Sequence, residues 1–290
     1  MVALLLVVFA CTFALAAVPP AEPAPGPTPA TTPPSAPVVV VELFTSEGCS
    51  SCPPADDLLA ELAKQQAEGK RDEGGREKGD RKDGKSEVPD AGTRIIFLTF
   101  HVDYWDRLGW PDRFASAQAT ERQRVYGAAL KERKADSGGV YTPQMVVNGS
   151  AGFVGSDAKR ARAEIAAAAK GVMPVGVTLD VEAPPERGPF TLTVTLKDAP
   201  KGCVVLGALV EDGLSTEVKR GENAGRKLAH DRVVRVFKVQ KPDAKGVASI
   251  ALDVPKDASL ARSRVVAVVQ EAPGGKVIGA AERVMAMTAK

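Results

Sequence analysis

Cys49 and Cys52 stand where an apolar run (residues 38–44) gives way to a stretch with helical spacing (residues 55–66). This join constrains the fold more than any other feature of the chain. Residues 38–44 are rich in β-branched and apolar side chains, the pattern of a strand buried on both faces. In residues 55–66, Leu58, Leu59, Leu62 and Ala63 share one helical face, and Asp56 and Asp57 fall in the first turn, where carboxylates complement the macrodipole. A strand, a dithiol and a helix in succession place the first thiol beside unpaired N–H groups and partial positive charge, which favour thiolate. Cys49, expected at the exposed start of the helix, is the predicted nucleophile, and Cys52, one turn further on and less accessible, the predicted resolving thiol.

The pattern continues as an alternation of strands and helices. Residues 94–100 read as a second buried strand, followed by the polar and aromatic turn His101-Val102-Asp103-Tyr104-Trp105-Asp106. Residues 114–135 read as a helix. Residues 141–147 read as a strand opening at Pro143, Asn148-Gly149 as a hairpin turn, and residues 152–155 as its return strand. Residues 156–170 read as an alanine-rich helix capped by Ser156 or Asp157. From residue 174 onward the periodicity is two, and six or seven short strands with Gly/Pro turns predict an antiparallel sandwich. The expected class is an α/β domain (38–172) followed by an all-β sandwich-like domain (173–290). Residues 67–93, almost devoid of apolar side chains, are expected to form a charged disordered insertion.

Three local features resemble a thioredoxin fold: the cysteine pair at a helix start, Thr142-Pro143 before a strand, and the hairpin closing on Gly155. More closely, residues 42–56, with Glu47-Gly48-Cys49-Ser50-Ser51-Cys52-Pro53-Pro54 at their centre, resemble an uncharacterised family of exported thioredoxin-like proteins, domain of unknown function 1223. His101-Val102-Asp103-Tyr104-Trp105-Asp106, Tyr141-Thr142-Pro143-Gln144 and Gly221-Glu222-Asn223-Ala224-Gly225-Arg226 are similar to that family too. The resemblance implies a thioredoxin-like first domain and a cis-proline at Pro143 facing the dithiol, which would turn the Thr142 backbone toward an extended peptide. It implies no reaction.

Around the dithiol, the candidate substrate-binding residues are Thr142, Pro143, His101 and Trp105. His101 follows the second buried strand, so it emerges at the same sheet edge as the dithiol. It reads either as an acid/base partner of the thiols or as a hydrogen-bonded turn histidine. Trp105 and Trp110 could line a groove or seal the contact with the second domain. Glu47 opposes thiolate formation if its side chain approaches Cys49. His230 reads as a loop residue, and Cys203 as a buried small hydrophobe.

The functional expectation is a thiol–disulfide oxidoreductase acting on protein or small-molecule thiols and disulfides, with the disulfide as its only redox group. The alternatives are a noncatalytic envelope protein with a structural disulfide, and a copper-handling protein in which Cys49, Cys52 and His101 hold Cu(I). Zinc is disfavoured because no second CxxC or Cys/His pair accompanies the first. A net charge of +2 gives no global pull toward nucleic acid or acidic membranes.

Residues 2–18 form an apolar run ending in Ala14-Leu15-Ala16-Ala17, read as a secretory signal peptide (1–17) despite the lack of an early Lys or Arg. Lipid attachment at Cys11 is disfavoured because the run continues beyond it. Residues 18–37 are largely Pro, Ala and Thr and read as an extended tether. The chain is expected to be exported to a periplasm or beyond the cell, with no membrane span after cleavage, so Cys49 and Cys52 meet an oxidising compartment.

Overall fold

A computed structural model describes residues 30–31, 37–72, 92–136, 139–181 and 188–285. The expected signal peptide, most of the tether and residues 73–91 of the expected insertion lie outside these. The chain has a mixed α/β fold with one large sheet, smaller sheets and few helices.

Strand β1 (Ala30–Thr31) precedes β2 (Val38–Thr45), α1 (Pro53–Asp72), β3 (Arg94–His101), α2 (Ala117–Glu132), β4 (Gln144–Val147), β5 (Ala151–Val154) and α3 (Ala158–Ala168). The remainder is all strand apart from one 3-10 turn: β6 (Gly176–Val181), β7 (Pro189–Lys197), β8 (Val204–Glu211), β9 (Leu214–Glu217), β10 (Lys227–His230), β11 (Val233–Gln240), β12 (Val247–Asp253), β13 (Ser263–Gln270) and β14 (Val277–Val284).

Every residue of β2 is buried, as its composition predicts. The strand pairs parallel with β3 and antiparallel with β4, and β4 pairs with β5. Alternation divides its side chains between two cores. Val39, Val41 and Leu43 pack with Leu58, Leu59 and Leu62 of α1 and Ile165 of α3. Val38, Val40 and Phe44 pack on the opposite face with Tyr126 and Leu130 of α2. Asn148 and Gly149 both have positive φ at the turn between β4 and β5. Gly149 also needs its hydrogen, because a Cβ there would lie 2.3 Å from the Gly275 oxygen.

The sheet does not stop at β3. Strand β11 pairs parallel with it at Val233↔Thr99, and the order β14-β13-β8-β11-β3-β2-β4-β5 makes one eight-stranded sheet. Hydrogen bonding thus crosses the boundary at 172/173 that the change of periodicity suggests. Side chains of β8 alternate accordingly: Leu206, Ala208 and Val210 extend the core under α2, while Val205 and Leu209 face a second sheet. That four-stranded sheet, in the order β1-β6-β7-β12, contributes Leu179, Leu192, Val194 and Ile250 to the shared core.

Three local expectations differ from the structure. Helix α1 continues to Asp72, six residues beyond the predicted end at 66, because Ala67, Glu68, Lys70 and Arg71 are good helix formers without needing an apolar face. Ala30–Thr31, inside the expected tether, pairs with β6, since backbone pairing needs no apolar bulk. Strands β9 and β10, each four residues long, were not predicted; they form a separate two-stranded hairpin.

Candidate functional site

Cys49 and Cys52 form a disulfide, with Cα atoms 5.4 Å apart, in the turn between β2 and α1. The turn is tight: Cys49 N–H donates to the Ser46 carbonyl and Cys52 N–H to the Cys49 carbonyl. Ala55 N–H donates to the Cys52 carbonyl and begins the helix, whose first two residues, Pro53 and Pro54, have no N–H to leave unpaired. The disulfide is covered: Cys49 and Cys52 are both 0% exposed, whereas Ser50 and Ser51 face solvent. This corrects the expectation that Cys49 sits at an exposed helix start.

The cover comes from the β9–β10 hairpin. Asn223, at its tip, is buried and donates through Nδ2 to the Glu47 and Cys49 carbonyls, 2.9 Å each. Next to it, the Glu222 carboxylate accepts from Ser50 N–H at 3.0 Å. Gly221, at positive φ, lets the tip pass Trp110, whose Cβ would lie 3.2 Å from a Cβ there. The segment Gly221–Arg226, noticed in the sequence only as a resemblance, is therefore a clamp on the cysteine turn.

Behind the disulfide lies a cluster of buried ionisable groups. The chain's two histidines, His101 at the end of β3 and His230 at the end of β10, have ring centroids 5.0 Å apart, with the Phe114 ring against both. His101 Nδ1 is 2.6 Å from Asp112 Oδ2, which also accepts from Glu47 N–H. His230 Nε2 is 3.2 Å from Glu47 Oε1, and Trp110 Nε1 donates to Glu47 Oε2 at 2.7 Å. Asp56, one turn along α1 from Cys52, accepts from Thr45 Oγ1 at 3.2 Å. His230 is a buried strand residue, not the expected loop residue; the strand was too short to read from its sequence.

These contacts set the charges. Burial pushes the Asp56 carboxyl up, the charges of His101 and His230 and the Thr45 hydrogen bond pull it down, and it comes to rest at about 6. Burial disfavours the His101 cation, but the Asp112 carboxylate outweighs it, so His101 holds its proton above its ordinary range. Burial opposes ionisation of Asp112 and Glu47 too. The charge and hydrogen bond of His101 overcome it for Asp112, and the His230 hydrogen bond does so for Glu47, so both remain carboxylates below the usual range. Glu47 is thus turned into the cluster and bound there.

Three polar atoms of this cluster, Asp56 Oδ1, His101 Nε2 and His230 Nδ1, are buried without a hydrogen-bond partner from the protein. Such atoms cost about 1–3 kcal/mol each, and they concentrate here. Among the described residues no group of three His, Cys, Asp or Glu side chains is arranged to hold a metal ion.

The other predicted site residues converge on the same turn. The Thr142–Pro143 peptide is cis. Trp105 Nε1 donates to Thr142 Oγ1 at 2.8 Å, and Trp105 packs on Gly48, where a Cβ would lie 3.1 Å from the Trp105 Cβ. Pro143 approaches the start of α1 across Gly155, where a Cβ would meet Ala55 and Pro143 at 3.3 Å each. Thr142 and Trp105 are half-buried, whereas Pro143 and His101 are buried. The sequence reading gave no role to Asp112, Asn223 or Glu222, and read Asp56 only as a helix-end charge.

The model of a family described as a protein of unknown function, DUF1223, matches residues 40–270. The chain belongs to the DUF1223 family. The match takes in the cysteine turn, both histidines and the hairpin. A crystal structure of a protein from Agrobacterium tumefaciens, AGR_C_4864, is similar with a TM-score of 0.56 and 23% identity, over 87% of this chain and 96% of that one. That likeness carries the fold alone. A comparison with curated proteins finds no match. In this DUF1223 chain the disulfide fits an exported protein, and no helix among the described residues is long and apolar enough to cross a membrane.

Proposed function

We propose that the Cys49–Cys52 pair is a redox-active dithiol and that the protein is an exported thiol–disulfide oxidoreductase acting on protein or small-molecule thiols and disulfides. The thioredoxin-like part of the reading is supported by order and pairing: β2-α1-β3-α2-β4-β5-α3, with its four strands in the local sheet order β3-β2-β4-β5, resembles the arrangement of a thioredoxin-like unit. The observation that carries the chemistry is the set of unpartnered acid–base atoms behind the disulfide. A disulfide that only ties a loop needs no such cluster, whereas thiol exchange moves protons.

In one direction a substrate thiolate attacks Cys49 Sγ, the Cys49–Cys52 bond breaks, and Cys52 leaves with the electron pair and takes up a proton. A second substrate thiolate then attacks the mixed disulfide, releasing the Cys49 thiolate and an oxidised substrate. In the other direction the Cys49 thiolate attacks one sulfur of a substrate disulfide, forming a mixed disulfide as the substrate S–S bond breaks and the first substrate thiolate leaves with the electron pair. Cys52 then gives up its proton, attacks Cys49 Sγ and releases the second substrate thiol. Asp56, one turn along the helix and titrating at about 6, is the group that exchanges the Cys52 proton. Thr142, Pro143 and Trp105 flank the turn as the contact surface for substrate. An oxidising compartment, the periplasm or the exterior, keeps the pair available.

A second reading is a structural disulfide in a binding protein, and the complete burial of both cysteines favours it. The equilibrium reduction potential of the pair separates the two. A value between about −120 and −270 mV, with disulfide exchange lost in Cys49→Ser, supports the oxidoreductase. A value below about −300 mV, with no exchange by wild type, overturns it.

A further inference from the structure

The cysteine turn is poor in free amide donors for a thiolate. Pro53 and Pro54 have no N–H, while Cys49 N–H and Cys52 N–H are bonded within the turn. Of the amides that follow Cys49 before the helix, Ser50 N–H is the adjacent one, and the Glu222 carboxylate occupies it at 3.0 Å. The carboxylate comes from the hairpin tip, where Asn223 anchors it by two buried bonds to the same turn. Glu222 is itself exposed, and hydrogen bonds from Ser50, from its side chain first and then from its backbone N–H, hold the carboxyl below the usual carboxylate range. Glu47, the carboxylate two residues before Cys49, is committed to Trp110 and His230.

We propose that Glu222 is a positioning residue for the dithiol: its carboxylate takes the Ser50 amide that a Cys49 thiolate would use and sets its negative charge beside that sulfur, so the hairpin tip holds down the nucleophilicity of Cys49. The inference rests on the redox reading of the pair and adds its control. An external dithiol reduces the disulfide by passing two electrons and two protons to Cys49 and Cys52 and is itself oxidised to a disulfide. The Cys49 thiolate then competes with Glu222 for Ser50 N–H. Displacing the tip releases the amide and removes the charge together. The remaining ionisable groups around the turn, Glu47, Asp56, His101, Asp112 and His230, belong to the cluster behind it, Arg226 is held by Asn223 Oδ1 at 2.9 Å, and the Ser51 hydroxyl, 3.4 Å from Cys49 Sγ, is unchanged in both Glu222 variants.

The test compares the chain with its Glu222→Gln and Glu222→Ala variants. Thiolate formation at Cys49 is followed by ultraviolet absorbance against pH in a Cys52→Ser background, and the reduction potential is measured with the native pair. Removing a neighbouring carboxylate, its field partly screened by solvent, is expected to displace a thiol titration by about one pH unit, which is about tenfold in thiolate at a given pH. Both variants should therefore show the Cys49 titration displaced toward lower pH by that factor, and a less negative potential. Because Glu222 is exposed, both variants should retain wild-type unfolding midpoints. Unchanged titration and potential in both overturn the proposal. A change in Glu222→Ala without one in Glu222→Gln also overturns it, because Gln keeps an acceptor for the Ser50 amide and lacks only the charge, and the proposal requires the charge as well as the occupied amide. A wild type that catalyses no exchange but shows the Glu222 effect removes the oxidoreductase reading and leaves this inference standing.

Discussion

Two buried polar clusters join the early strands to the late ones, and they are built on opposite principles. At the first, Glu42 of β2 takes a bidentate contact from Arg122 of α2, at 2.6 and 2.8 Å, and a 2.6 Å hydrogen bond from Tyr126. Arg122 also reaches Gln270 of β13 at 3.1 Å, and Gln270 donates to the Gly275 carbonyl. None of the side-chain polar atoms of these four residues is left buried without a partner. At the second, behind the disulfide, three atoms lack one. A saturated network fixes a geometry, whereas an unsaturated one retains capacity to take or give a proton. The difference separates a structural joint from the candidate chemical site, although both are equally buried.

Breaking the saturated joint has the largest expected effect. Arg122→Met strands the Glu42 carboxylate in the core and should cost about 3–5 kcal/mol in chemical denaturation while leaving the disulfide's reduction potential unchanged. A potential that moves with it would dissolve the distinction between the clusters.

Next in size is Asp56→Asn, with a sign that depends on pH. The Asp56 carboxyl titrates at about 6 in the fold against 3.8 for the ordinary side chain, so the folded state holds the proton more tightly than the unfolded chain. Stability is therefore undiminished below the lower value, declines as pH rises between the two, and stays reduced above the higher. Asp56→Asn should be more stable than wild type by up to about 3 kcal/mol above pH 6, and should match it near about pH 4, by thermal or urea unfolding. It should also slow exchange. Stability that does not depend on pH in this way would place Asp56 among the saturated groups.

The smallest effect belongs to the contact between the hairpin and the turn. Asn223→Ala removes two bonds to main-chain carbonyls and should cost about 1–2 kcal/mol. It should also speed reduction of the disulfide by glutathione, measured by mass spectrometry after quenching. An unchanged rate would mean that the hairpin does not limit access.

Much of the early half was legible in the sequence. The run at 38–44 became β2, 94–100 became β3, and Asn148-Gly149 became the turn between β4 and β5, because continuous apolar runs and positive-φ residues are local signals. Helix α2 was legible within the reading of 114–135, although it spans only Ala117–Glu132, and its Ser116 cap accepts from Ala119 N–H. The later strands were legible through alternation. The hairpin β9–β10 was not. Its four-residue strands are too short for a period to register, and Leu228 and His230 are its only buried residues in β10. With the hairpin went His230, Asn223 and Glu222 as site residues. Glu42 escaped notice for another reason: a charged residue inside an apolar run shows no partner until Arg122 lies next to it, eighty positions away.

By itself the sequence determined the strand–disulfide–helix join, the residues Cys49, Cys52, Thr142, Pro143 and Trp105 around it, and the change from mixed to all-strand pattern. These follow from side-chain type and spacing over a few residues. The tertiary structure alone decided that the cysteines are covered, that the chain's two histidines meet behind them, and that one sheet runs through both halves. Such facts depend on contacts between residues more than a hundred positions apart, among them Asn223 to Cys49 and Val233 to Thr99, and chain closure over that distance leaves no periodic trace in the sequence.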